Sequence, residues 1–309
     1  MNLSSKKFSE ISKFVKTKAR KLDKSLFTYY FENNSAENVL KDLRKYQNED
    51  DGFGHGLEPD FTTNSSSAIA TCVAMQYINK LNIQGNHFII DQILNYFTNT
   101  FSNKYQRWRP VPDDVNKSPH APWWHIDEKT GMCPIDNNWD NPTVEILGYL
   151  HKYDNNFPKK KLKEMTNKAV MRLLGEESIP EHSLYCYQIF YSYADQEVKQ
   201  SIKSRLFERI RDIVNKDSKD WREKYVPKPL DFVSIPDAPF YNLLNDLVDK
   251  NLDFLIKSIE NNKAWFPTWS WGQYEKDWEK ARMEWTGKIT VDNLIILKKF
   301  GRIEDKVNI

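Results

Sequence analysis

The sequence predicts an all-α protein in which half-exposed and fully buried helices alternate, as two concentric rings of helices would require. Three observations predict it. Apolar residues recur at spacings of three and four along most of the chain, and no segment shows the period-two alternation of a strand. The stretches 65–81 and 182–194 are almost free of charge, whereas other helices carry a wet face rich in lysine and arginine. Aromatic–proline steps recur at Trp108-Arg109-Pro110, Tyr225-Val226-Pro227 and Trp265-Phe266-Pro267, the mark of an internal repeat of helical-hairpin size.

The elements follow in order. Phe8, Ile11, Phe14, Val15, Leu22, Leu26 and Tyr30 form one apolar stripe. Asn34, with Glu37 three residues on, reads as a capping box before a helix carrying Val39, Leu40, Leu43 and Tyr46. Residues 65–81 hold small residues on every side and predict a helix buried all round; 89–101 carry Ile89, Ile93, Leu94 and Phe97. Asn141 before Pro142 reads as a cap with proline in the first turn, opening a helix with Val144, Leu147 and Leu150. Helices follow over 159–174, stopped by Gly175, and over 182–194, which reads as interior. Striped helices over 196–215 and 241–260 come next, and a last one starts near Lys276 or Trp285 and ends at Gly301.

Composition narrows the function. Forty-five Lys and Arg against 43 Asp and Glu leave a net charge of +2, too little for a protein that grips nucleic acid through phosphates. A mean hydropathy of −0.72 and the lack of a long apolar run exclude a transmembrane helix. The start of the chain is broken by charge and does not read as a secretory signal. Cys72, Cys133 and Cys186 are odd in number and far apart, which fits a reducing cytoplasm. Neither G-x-G-x-x-G nor G-x-x-x-x-G-K-[ST] occurs, so no nucleotide cofactor is expected. The hydrophilic, balanced surface fits a monomer or weak dimer.

One stretch resembles a known family. Leu43-x-x-x-Gln47 followed by Asp51-Gly52-Phe53-Gly54 is similar to the glutamine–aromatic (QW) repeat of terpene cyclases and protein prenyltransferase β subunits. Leu255 to Trp265-Phe266-Pro267 looks like a degenerate copy, with Glu260 or Asn261 where glutamine would fall. The resemblance implies an α/α toroid of about five or six helical hairpins around a central cavity, spanning 1–309 as one domain with 102–141 as a lid. It also implies a prenyl or terpenoid substrate. The chain departs from the family in its chemistry. It lacks Asp-x-Asp-Asp, the nearest string being Val111-Pro112-Asp113-Asp114, and it lacks Asp-Asp-x-x-Asp.

Three regions concentrate polar and aromatic groups. The first, 48–64, holds Phe53, His55, Glu58 and Asp60 with three of the chain's ten glycines, which indicates unusual backbone angles or a close backbone approach. A capped turn, with Asp60, Thr63 or Asn64 at the next helix start, is the structural alternative. The second, 102–141, holds Trp108, Trp123, Trp124, Trp139, His120, His125, Asp127, Cys133, Asp136 and Asp140 without helical period. So many aromatics predict an ordered loop. His120, His125, Asp127 and Cys133 are metal-ligand types, but their spacing matches no common zinc signature and no metal is expected. The third holds Trp265, Trp269 and Trp271, with Glu284 near Trp285; desolvation there would raise the glutamate's pKa, as a general acid requires. Eight of the ten tryptophans, including Trp221, fall between the helices so assigned, which favours a ring-lined pocket.

Three functions fit. A small-molecule enzyme would shelter a prenyl or terpenoid chain among the tryptophans, with an acid such as Asp60 or Asp136 protonating it. A saccharide-processing α/α barrel would pair Glu58 or Asp60 with Asp127, Asp136 or Glu284. A binding protein on the same fold would lack chemistry altogether.

Overall fold

The computed structural model describes residues 1–81, 83 and 87–304. They are all-helical. In chain order the helices are α1 (Ser5–Lys18), α2 (Lys21–Phe31), α3 (Ala36–Leu43), α4 (Ala68–Asn79), α5 (Phe88–Thr100), α6 (Thr143–Lys152) and α7 (Lys159–Gly175). Then follow α8 (Glu181–Tyr193), α9 (Gln196–Ile213), α10 (Ser218–Glu223), α11 (Pro229–Phe232), α12 (Tyr241–Ser258) and α13 (Glu275–Lys299). No strand occurs among the described residues; extended segments meet only as isolated bridges. Among the described residues no helix is long and apolar enough to cross a membrane.

The chain divides into two compact units. The first comprises Met1–Asp42, Arg211–Ser270 and the chain from Glu275 onward; the second comprises Leu43–Ile210 and Trp271–Tyr274.

In the first unit, α1 and α2 pack on each other and on α13, and α10 and α11 pack on α12. The stripe from Phe8 to Tyr30 is two helices, not one. Ala19 and Arg20 are extended (ψ 160° and 155°), so the chain turns there while Ile11, Val15, Leu22 and Leu26 all stay buried. Burying each such aliphatic chain contributes about 1.5–3 kcal/mol. Trp221 lies inside α10, not between helices, and its indole N–H donates to Asn215 O.

In the second unit, α4, α6 and α8 form a row that runs in one direction. Gln76 meets Glu145 and Asn79 meets Lys152, so α4 and α6 advance together. Asn141 meets Cys186, and Tyr149 meets Tyr193, so α6 and α8 do the same. Gly148 makes the second pairing close: a Cβ there would lie 3.0 Å from Phe190 Cα. Helices α5 and α7 are the returns. Tyr96, late in α5, lies against Gly52 and Ser66 just before α4. On α7, Thr166 bonds His151 near the end of α6, whereas Arg172 bonds Asp140 just before its start.

Burial along this row differs from the sequence pattern. Helix α4 is buried on nearly every side, as its small residues predict, but α6 is buried from Thr143 to Leu150 while α8 buries only one face. Helix α6 packs on α8, α7 and α5, and position outweighs composition. Helix starts also differ. Ser67 caps α4, accepting from Ala70 N–H, where Asp60, Thr63 or Asn64 was expected. Asn141–Pro142 is a cis peptide and α6 starts at Thr143.

Candidate functional site

The 47–67 turn is built by close packing. Phe53 bridges Gln47 on one side and Ser67 on the other, and its N–H donates to Thr71 Oγ1 at 3.1 Å. A Cβ on Gly54 would lie 2.4 Å from the carbonyl oxygens of Asn64 and Ser65. The close approach that the glycines signal is therefore to the protein itself, and Phe53 is fully buried. His55, left-handed at φ 55°, is exposed and faces the side-chain oxygens of Asn48 and Asn64 with its two ring nitrogens.

Beyond this turn the chain reaches a cluster of polar and aromatic groups. Residues 60–62 pair with 119–121: Ala121 N–H donates to Asp60 O (2.8 Å), Thr62 N–H to Pro119 O (3.0 Å), and Phe61 bridges His120. Glu58 and Asp60 are both buried. The segment 271–274 closes on this ladder. Trp271 donates its indole N–H to Asp60 Oδ1 at 2.8 Å, Gln273 donates to His120 O at 2.8 Å, and the Tyr274 ring lies 5.6 Å from the His120 ring. Gly272 and Tyr274 adopt φ of 67° and 51°, the bend that lays the segment down.

The two histidines form a directed chain. His120 Nδ1 faces Ser118 O at 2.6 Å, and a carbonyl only accepts, so Nδ1 carries the hydrogen. Burial holds His120 below the usual histidine pKa, so its Nε2 is a lone-pair acceptor. His125 Nδ1 lies 3.0 Å from that Nε2 and must donate to it. His125 Nε2 takes no part in this bond and belongs to an exposed ring. Near it in sequence, Trp123 is half-buried, and Trp124 is buried edge-on to Phe61 with an indole N–H that finds no acceptor among the described residues.

The other residues singled out from sequence make different contacts. In the second unit, Trp108 and Trp139 anchor the 102–141 loop through N–H bonds to Phe97 O (2.6 Å) and Gln106 O (2.8 Å). Asp136 is buried, pairs with Arg107 and accepts from Cys133 N–H at 3.0 Å. Asp127 is exposed and closes a turn; bonds from the Thr130 N–H and hydroxyl hold its carboxyl below the usual range. Burial pushes the Cys133 thiol up to about 12, and no group among the described residues gathers enough ligands for a metal ion. In the first unit, Trp265 is buried and donates to Ser258 Oγ (3.1 Å) and Leu255 O (3.2 Å). Trp269 lies edge-on to Tyr225 and Trp285. Burial raises the pKa of Glu284 against the pull of Arg20 and Lys280, as its aromatic surroundings suggest.

Two groups were not picked from sequence. Gln273 and Tyr274 carry no motif; only Gly272 before them hints at a shaped bend. Glu145 is the one charged residue in the buried run 143–150. Its Oε1 accepts from Tyr149 OH (2.7 Å) and Gln76 Nε2 (3.0 Å), and burial raises its pKa.

No protein-family model, curated protein or solved structure matches the chain.

Proposed function

We propose that the second unit carries an acid–base site for a polar, ring-bearing small molecule, with saccharides as the class that its groups fit best. The observation that carries this is the Ser118–His120–His125 chain, which ends on an exposed imidazole, with the half-buried Trp123 two residues away in sequence and the Tyr274 ring against His120. In this reading His125 takes a proton from a ligand hydroxyl, and His120 holds the imidazole in the required tautomer. Tyr274 and Trp123 offer ring faces to a sugar ring. Asp60, fixed by Trp271, is the acidic partner, with Glu58 two residues before it. A cluster with an exposed histidine and a 44% exposed Tyr274 suits a hydroxylated ligand better than a carbocation, which needs a closed, dry chamber.

A second reading rests on different observations. Parallel α4, α6 and α8 with antiparallel returns, after a Gln47…Gly54 turn, support the α/α-toroid architecture that the terpene cyclase resemblance implies. Glu284, raised by burial and next to Trp285 in sequence, supports an acid for a prenyl or terpenoid ligand.

Native mass spectrometry against oligosaccharides, prenyl diphosphates and polyenes separates the two. The first reading expects a saccharide to bind, to be lost in His125→Ala and Asp60→Asn, and to persist in Glu284→Gln. Binding of a prenyl compound alone, lost in Glu284→Gln, would replace it with the second.

A further inference from the structure

A cavity lies in the same unit, lined by residues other than the histidine pair. It is a cleft of about 700 Å³ where the end of α6, the face of α7 and the start of α9 come together. That volume suits a small metabolite rather than a macromolecule. Phe157, Leu162 and Val198 form an apolar floor. His151 lines it, half-buried, with Nε2 2.8 Å from Thr166 Oγ1 and Nδ1 without a partner among the described residues. Burial lowers its pKa, so the ring is neutral and hydrogen-bonds without adding charge.

The walls carry opposite charges. Lys159 and Lys163 belong to α7; Asp195 lies in the α8–α9 turn and Glu197 in the first turn of α9. Asp195 commits one oxygen to Val198 N–H at 2.9 Å. None of these four charges forms an ion pair with a described residue, although all line one cleft. Opposite charges held on facing walls without closing on each other leave a site that is complementary to a molecule carrying both signs.

We propose that this cleft binds a zwitterionic small molecule of the amino-acid class, its ammonium towards Asp195 and Glu197 and its carboxylate towards Lys159 and Lys163. The apolar floor takes an aliphatic side chain, and His151 Nδ1 meets a polar group of the ligand. The site is independent of the histidine pair at 120 and 125.

Free amino acids, tested singly by thermal shift and calorimetry on the full chain, are the probes, with acetate and methylammonium as single-charge controls. At least one aliphatic amino acid should bind saturably and the controls should not. Lys163→Glu and Glu197→Lys, both at exposed positions, should each weaken that binding about tenfold or more. His125→Ala should leave it unchanged. No saturable amino-acid binding, equal binding of either control, or unaltered affinity in both charge reversals would overturn the proposal.

Discussion

Trp271 donates its indole N–H to the buried carboxylate of Asp60 at 2.8 Å, joining residues 211 positions apart. A buried carboxylate costs free energy unless its oxygens are bonded. The bond therefore does two things: it satisfies Asp60 and it holds the 271–274 segment, with Gln273 and Tyr274, against His120.

Trp271→Phe keeps most of the apolar surface and removes only the donor. It should destabilise the protein by about 1–3 kcal/mol, because one buried charged oxygen is left without that bond. Asp60→Asn should cost less, since the amide oxygen still accepts. Urea unfolding of the two single variants and the double variant gives the coupling directly; strictly additive effects would mean that the bond contributes nothing.

Asp136 behaves as a strut in this account, not as part of the site. Its partner Arg107 is buried with it, and Arg107 also donates to Asp136 O at 2.7 Å. Arg107→Leu should therefore cost about 3–5 kcal/mol by stranding a buried carboxylate. Asp136→Asn should lower the melting temperature yet leave ligand affinity at the His125 site intact in the surviving folded protein.

Gly54 is irreplaceable for steric reasons. Gly54→Ala drives a methyl into two backbone carbonyls and should cost about 3 kcal/mol or more. Gly131 is left-handed at φ 68° with nothing within 4 Å, so Gly131→Ala should cost about 1 kcal/mol, the backbone penalty alone. Thermal melts of the two variants provide the comparison.

Glu145 predicts a pH dependence with a definite sign. Its pKa is raised in the folded chain, so the folded state holds a proton that the unfolded state releases. This contribution is fully present below the unfolded value of about 4.5 and is lost as pH rises through the folded value. Glu145→Gln keeps a neutral hydrogen-bonding group and should flatten that part of the stability–pH curve. If wild type and variant show parallel curves from pH 4 to 9, Glu145 is not the buried proton carrier.

Much of the fold was legible because helix periodicity is local. The stripes of α9 and α12, the stop of α7 at Gly175 and the small-residue surface of α4 all appear as read. The exceptions have tertiary causes. The break at Ala19–Arg20 leaves the apolar stripe in phase, so periodicity cannot reveal it. Helix α6 outburies α8 because α5, α7 and α8 all pack on it. The site was legible residue by residue but not as a whole. Asp60, Glu58, His125 and Trp271 stood out by type, yet nothing local says that 271–274 lies on 60–62 and 119–121. The tryptophans misled in one respect. Trp108, Trp139 and Trp265 are interhelical, but their N–H groups bond the chain's own carbonyls, so they fasten loops and leave few rings for a ligand.

In the proposed site His125, held by His120, presents Nε2 to a hydroxylated ligand. Histidine-selective ¹⁵N NMR of the full chain, titrated with oligosaccharides, tests it most directly. The account predicts both His120 and His125 as Nδ1–H tautomers at pH 8, with a saturable shift of His125 Nε2 on binding that disappears in Asp60→Asn. An Nε2–H tautomer at His125, or saccharide titrations that leave its resonance unmoved while a prenyl diphosphate perturbs the Trp269–Glu284 region, would contradict it.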